Sequence, residues 1–254
     1  LQVEGYVDPN NTPFIQKGRA WREYKRAGFT DKLQWWQNPK FYDKIKENAK
    51  DIRTLKFTGG EPTLIPQVHE IMDYMLESGH ADHINITITT NGSQLEKTAS
   101  ELYDCGVRRI NVSLDHLNEK KFREITRWGD LSKVLSGIKK AKKCGIKIKI
   151  NTVALQNFNQ DHLLDMIEWC SDEGHDMTII EVMPMGDIGS ENRFYQYLPL
   201  SKVRKIIENK YKLIDIPKKT GGPARYVRIP EKNMDLGFIT PLTHNFCESC
   251  NRVR

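Results

Sequence analysis

The chain has 254 residues, 38% hydrophobic and 28% charged, with a formal net charge of +6. This is enough for one sizeable α/β domain with a smaller appendage, and the absence of any apolar run near the roughly 18 residues of a spanning helix excludes a membrane protein. Leu1 opens on no signal or transit segment, so the cytoplasm is the expected compartment. The positive balance suits an anionic ligand such as a nucleotide. Much of it lies in runs such as Lys139, Lys140, Lys142 and Lys143, which on a helix form a solvated face, so no nucleic-acid partner is inferred.

Residues 1–50 are the least legible. A turn-rich start (Gly5, Asp8, Pro9, Asn10, Asn11, Pro13) precedes a basic, aromatic segment in which Trp35, Trp36 and Phe41 suit either a core or an interaction surface. A helix is expected over 40–50, with Phe41, Ile45 and Ala49 on one face. The chain then alternates: strand 52–58, helix 66–77 with proline in its first turn, strand 84–90, helix 94–104, strand 109–114, helix 131–143, strand 146–153, helix 161–172 and strand 177–183. Such a rhythm predicts a parallel sheet with right-handed crossovers, and five strands are too few for a closed eight-stranded barrel, so an open or partial barrel is expected. After Pro184 the rhythm breaks. A helix over 200–209 precedes a Gly- and Pro-rich stretch, 218–240, read as an appended, mostly antiparallel segment. The expected divisions are 1–50, 51–186 and 187–254.

Parallel sheets bind ligands beyond the carboxyl ends of their strands. Those ends are Thr58-Gly59-Gly60-Glu61-Pro62, Thr89-Thr90-Asn91-Gly92, Ser113-Leu114-Asp115, Lys149-Ile150-Asn151 and Glu181-Val182-Met183-Pro184, polar at every strand. Alone, the Gly-Gly-Glu-Pro turn reads as an ordinary βα connection; beside four similar ends it reads as part of a ligand site. Five cysteines do not suit a disulfide framework. Cys105, Cys144 and Cys170 read as small buried hydrophobes, whereas Cys247 and Cys250 have metal-ligand spacing, equally compatible with half a zinc site or a redox pair.

Gly-Gly-Glu-Pro, Thr-Asn-Gly and Val-Ser-Leu-Asp on successive strands resemble the radical S-adenosylmethionine superfamily. From Thr89 onward the chain is similar, within it, to the GTP 3′,8-cyclases of molybdenum-cofactor biosynthesis. The motifs are Arg109-Ile110-Asn111-Val112-Ser113-Leu114-Asp115, Ile125-Thr126-Arg127, Lys149-Ile150-Asn151, Glu181-Val182-Met183-Pro184-Met185-Gly186, Gly221-Gly222-Pro223-Ala224-Arg225-Tyr226, and His244-Asn245-Phe246-Cys247-Glu248-Ser249-Cys250-Asn251-Arg252-Val253-Arg254. The segment before about residue 90 is more similar to radical enzymes with twitch-type auxiliary domains.

The resemblance implies a partial (β/α)6-type barrel, with its first strand missing or reduced to residues 1–3, and a β-rich extension carrying the Cys-x-x-Cys pair. It implies that Gly59, Gly60, Glu61, Ser113 and Met183 bind S-adenosylmethionine, and that Lys56, Thr89 and Lys149 reach GTP. Cys247 and Cys250 would be two of three ligands to a [4Fe-4S] cluster, with Arg252 and Arg254 contacting the nucleotide as catalytic candidates. The expected partners are GTP and an electron donor; oligomeric state is left open, a homodimer being one option. The expected activity is that of a radical lyase; the alternatives are an inactive nucleotide-binding protein or a radical enzyme acting on a peptide or other substrate. One departure stands out: the first cluster of the superfamily needs a Cys-x3-Cys-x2-Cys motif ahead of Gly59, yet no cysteine precedes Cys105 and none follows Cys250. The chain is therefore expected to be truncated or fused, and inactive as it stands.

Overall fold

The computed structural model describes residues 39–182, 195–220 and 222–243. Helix α1 (Pro39–Asn48) leads through a 3-10 turn to strand β1 (Thr54–Phe57). There follow α2 (Pro66–Glu77), β2 (Asn85–Thr90), α3 (Leu95–Asp104), β3 (Val107–Ser113), α4 (Glu119–Thr126), α5 (Leu131–Lys143), β4 (Lys147–Ala154), α6 (Leu163–Asp172) and β5 (Asp176–Glu181). The chain continues through α7 (Leu200–Glu208), β6 (Ile214–Ile216), β7 (Arg225–Ile229) and β8 (Met234–Ile239). No helix among the described residues is long and apolar enough to cross a membrane.

All eight strands join one sheet in the order β1-β2-β3-β4-β5-β8-β7-β6. Neighbours from β1 through β5 are parallel, and β8 is parallel to β5. Only β7 and β6 run antiparallel to their neighbours. The architecture is the expected α/β partial barrel, with one change. The last strand, read from sequence as part of an antiparallel appendage, extends the parallel run to six, because the β7–β8 hairpin returns β8 alongside β5. Residues 1–3, Trp35 and Trp36 lie outside the described residues.

Alternation along each strand separates two faces. Ile86, Ile88, Ile110, Val112, Ile148, Ile150, Met177, Ile179, Leu236 and Phe238 form a single core with the inward stripes of the helices. In α2 that stripe is Val68, Ile71, Met72 and Met75, at the spacing of one helical face. In α5 it is Leu131, Val134, Ile138 and Ala141, behind an Asp130 side chain that caps the Lys133 amide. Helix α4 was not expected from sequence: it is short and charged, with Phe122 its sole buried residue, and is held by an Asn118 cap.

The carboxyl edge is tied together by side chains. Asn159 is fully buried; its Oδ1 accepts from the Leu155 amide at 2.8 Å, and its Nδ2 donates to the Asp115 and Val153 carbonyls at 3.0 and 2.8 Å. Asp115 Oδ1 accepts from the Val153 amide at 2.7 Å, and Thr152 Oγ1 donates to the Leu114 carbonyl at 2.8 Å. These bonds fasten the end of β3 to that of β4. Glu181, 1% exposed, closes β5: Oε1 accepts from Tyr197 Oη at 3.2 Å, the Leu200 amide at 3.3 Å and the Thr243 hydroxyl, and Oε2 from the Leu242 and Thr243 amides at 3.0 Å each.

The two acids end on opposite sides of the usual carboxylate range. Desolvation raises the Asp115 carboxyl to about 6, opposed by its bond from Val153. Desolvation also pushes Glu181 up, but the donors from Thr243, Leu242 and Leu200 outweigh it and hold the group below the usual carboxylate range.

Asn159→Ala leaves three buried backbone groups without partners and is expected to destabilise the fold by about 2–4 kcal/mol in urea titration; a loss below about 1 kcal/mol would refute the lock. For Asp115 the folded pKa lies above the unfolded one, so its stabilising contribution is full at low pH and fades as pH rises from about 4 through about 6. The stability of the parent minus that of Asp115→Asn is therefore expected to fall by no more than about 3 kcal/mol between pH 4 and pH 7. A difference that is flat or rises with pH would contradict this assignment.

Candidate functional site

The face of the sheet opposite the helices is polar. Register places Lys56, Thr87, Arg109 and Lys147 on one rung across β1–β4, and Thr89, Asn111, Lys149 and Asp176 on rungs leading across β2–β5. Ser113, Asn151, Thr178, Gly237 and Tyr226 form the next, from β3 across to β7. Lys56, Thr89, Ser113 and Lys149, the residues to which the resemblance gives roles, thus share this inner face. Arg109, Asn111, Asn151 and Tyr226 join them, although sequence reasoning assigned them no role. Their signal was the alternation within strands (Arg109, Asn111, Ser113; Lys147, Lys149, Asn151), which a reading confined to strand ends passes over.

Lys149 is 9% exposed, and its Nζ donates to Tyr226 Oη at 3.1 Å, which in turn bonds Thr220 Oγ1 at 2.8 Å. Burial raises the Tyr226 pKa, but the Lys149 charge and these bonds more than offset it, so the phenol is held below its ordinary value. The carboxylates on this side are already neutralised. Lys218 bridges Asp176 and Asp235 at 2.8 and 2.7 Å, and Arg228 meets Asp235 at 2.7 Å. Among the described residues no carboxylate pairs with Lys149, so its charge faces the interior available to an anion. The Tyr226 ring crosses Gly237, where a Cβ would stand 3.0 Å from Tyr226 Cε1 and 2.9 Å from Thr178 Oγ1. Glycine there is what lets the ring lie down and reach Lys149.

On this face Thr87 Oγ1, Arg109 Nε, Asn111 Oδ1 and Asn151 Oδ1 are buried with no hydrogen-bond partner among the described residues. Buried polar groups are ordinarily paired, so their concentration on one face marks a surface built for a polar ligand.

Above β1, Gly59 and Gly60 take φ of 91° and 48°, and nothing lies within 4 Å of a Cβ built on Gly59. Their peptide groups are therefore accessible to a ligand carrying amino and carboxylate ends, which fits S-adenosylmethionine. Glu61 is tied into the same edge. Its Oε1 accepts from Thr63 Oγ1 and Thr90 Oγ1 at 2.6 Å each, with Thr63 N at 3.3 Å, and its Oε2 accepts from Asn91 N at 2.7 Å. It fixes the glycine turn against the end of β2, as a positioning residue.

The described cysteines do not fit an iron–sulfur cluster. Cys105 is buried 3.6 Å from Asp73 Oδ1, and desolvation with that neighbouring charge pushes its thiol up to about 11. Cys170 is buried, its thiol likewise raised, and Cys144 stands apart at the end of α5. No group of three metal-ligating side chains occurs among the described residues. Met183, Cys247, Cys250, Arg252 and Arg254 lie outside the described residues.

Two family models match: the Radical SAM superfamily over residues 25–170, and Molybdenum Cofactor Synthesis C over residues 175–254. The chain is 54% identical over 203 residues to a GTP 3′,8-cyclase of Paracoccus denitrificans, covering 80% of this chain and 59% of that protein. It is 56% identical over 208 residues to one of Brucella canis, covering 81% and 60%. The chain thus spans about three-fifths of the length of these curated relatives. Among solved structures, Streptococcus suis SuiB bound to S-adenosylmethionine aligns with a TM-score of 0.52 at 20% identity, over 67% of this chain and 39% of that one. The anSMEcpe structure with AdoMet and Cp18Cys peptide aligns at 0.51 and 20%, over 62% and 46%. At that identity they speak for the fold alone. The family match covers more than half of the chain and agrees with the parallel sheet and its Gly-Gly-Glu edge: this protein belongs to the radical SAM superfamily.

Proposed function

We propose that this chain carries the nucleotide- and S-adenosylmethionine-binding portion of a GTP 3′,8-cyclase, a lyase of molybdenum-cofactor biosynthesis that converts GTP to (8S)-3′,8-cyclo-7,8-dihydroguanosine 5′-triphosphate. The observation that carries this reading is the buried Lys149, paired with a neutral phenol instead of a carboxylate on a polar sheet face. A cation so placed suits a phosphate chain. The relatives are GTP 3′,8-cyclases, and the triphosphate of GTP would use such a cation.

In this reading Lys149 and Lys56 hold the phosphates, and Thr89 and Ser113 supply hydroxyls near the ribose and the methionyl end. Gly59 and Gly60 receive the amino-acid part of S-adenosylmethionine against the edge that Glu61 fixes. Met183 would line that cofactor's site, and Arg252 and Arg254 would contact the nucleotide. Bound S-adenosylmethionine, cleaved with one electron from a reduced cluster, would supply the carbon radical chemistry, with methionine as the leaving fragment. The chain's contribution is to bind, orient and exclude water. The described residues hold no ligand set for the cluster. Cys247 and Cys250 are proposed as two ligands of an auxiliary [4Fe-4S] cluster, with an electron donor as further partner.

GTP binding by isothermal titration tests the reading. Lys149→Met is expected to weaken affinity about 10- to 100-fold, the range of a lost charge-assisted bond, with the circular dichroism spectrum unchanged. Equal affinity in a folded variant would count against the assignment. Anaerobic reconstitution of this 254-residue chain with iron, sulfide, reductant and S-adenosylmethionine is expected to yield no 5′-deoxyadenosine. Appreciable product would show that other groups ligate the initiating cluster.

A further inference from the structure

Arg109 sits on β3 with its side chain on the inner face, in register with Thr87 of β2 and Lys147 of β4. Its Nε is buried without a partner, and among the described residues its guanidinium makes no hydrogen bond or ion pair. Thr87 beside it is 3% exposed and its hydroxyl is likewise unpartnered. The carboxylates of this side, Asp176 and Asp235, are engaged by Lys218 and Arg228 farther along the sheet. Partly burying a guanidinium without a counter-charge is costly, and a core position on a strand would otherwise favour an aliphatic residue. The same rung carries Lys56 and Lys147, giving three basic residues at one level, one pleat repeat below Lys149. Two residues along a strand span about 6.6 Å, comparable with the reach of a phosphate chain.

We infer that Arg109 and the Thr87 hydroxyl form a second anion seat, one rung below Lys149, that takes a phosphate group of a polyphosphate ligand. The guanidinium presents a planar fork to two phosphate oxygens, and the threonine donates to a third. The seat deepens the GTP reading and rests on it for the identity of the ligand, whereas its anion chemistry stands independently.

The test compares three probes on the full chain at fixed ionic strength: GTP, guanosine and inorganic tripolyphosphate. Arg109→Met, which keeps an aliphatic stem of similar length, is expected to weaken both GTP and tripolyphosphate about 10- to 100-fold while leaving guanosine unchanged. Arg109→Lys should recover part of the loss, and Thr87→Val, which preserves shape and charge, should lower tripolyphosphate affinity by several-fold. These two variants carry the test if Arg109→Met does not fold. Unchanged tripolyphosphate affinity in the folded variants overturns the seat, as does a parent chain that binds no tripolyphosphate. A parent that binds tripolyphosphate through Arg109 yet shows no preference for GTP over guanosine upholds the seat and overturns the GTP reading instead.

Discussion

The arrangement depends on how the carboxyl edge of the sheet is closed without being covered. Parallel strands end in peptide groups with no ladder partner, and an edge that receives a ligand cannot bury them under its own loops. Here single side chains collect those groups across strand boundaries. Glu61 gathers the ends of β1 and β2, Asn159 with Asp115 gathers β3 and β4, and Glu181 gathers β5, the start of α7 and residues 242–243. The number of donors decides the electrostatics. Glu181 has enough to remain a buried anion, whereas Asp115 has one amide from Val153 and drifts towards neutrality.

The second constraint is the unequal treatment of the two faces. A parallel sheet covered by helices on both sides reads as nearly continuous hydrophobic strands. These strands alternate instead, as in Arg109-Ile110-Asn111-Val112-Ser113 and Lys147-Ile148-Lys149-Ile150-Asn151. The apolar half builds the core with the helices, so the polar half is free to carry chemistry without loss of packing. Gly237 shows how closely the halves are fitted: removing one side chain on β8 lets the Tyr226 ring on β7 reach Lys149 on β4.

Much of this was legible in the sequence where one local signal decided the outcome. The helices at 66–77 and 131–143 follow from a strong apolar stripe with a proline or aspartate at the start, and the structure gives them the same bounds. Helix α4 has one buried side chain, so periodicity gave little to detect, although Asn118 followed by Glu119 was a usable start signal. Strand β8 was located but not oriented, because its direction is set by β5, its neighbour in space, rather than by anything within 234–239. The same limit governed the site. Lys149 was found from its motif, but its phenolic partner is 77 positions away, and Glu61 meets donors 29 and 30 positions on. A motif marks Glu61 as important; only the fold shows that its oxygens help hold the edge.

The cysteines divide the protein's chemistry in two. Cys105 and Cys170 lie where a core would put them, with desolvated thiols that resist ionisation and hence metal binding. A cluster needs thiolates, and the described residues supply no ligand set for one. Glu181 connects the two parts: its carboxylate holds residues 242–243, and Cys247 follows four positions later in the chain. The lock that completes the carboxyl edge at β5 is therefore also the last described anchor before the cysteine-bearing segment in the chain, so a disturbance at Glu181 would be felt on both sides of it.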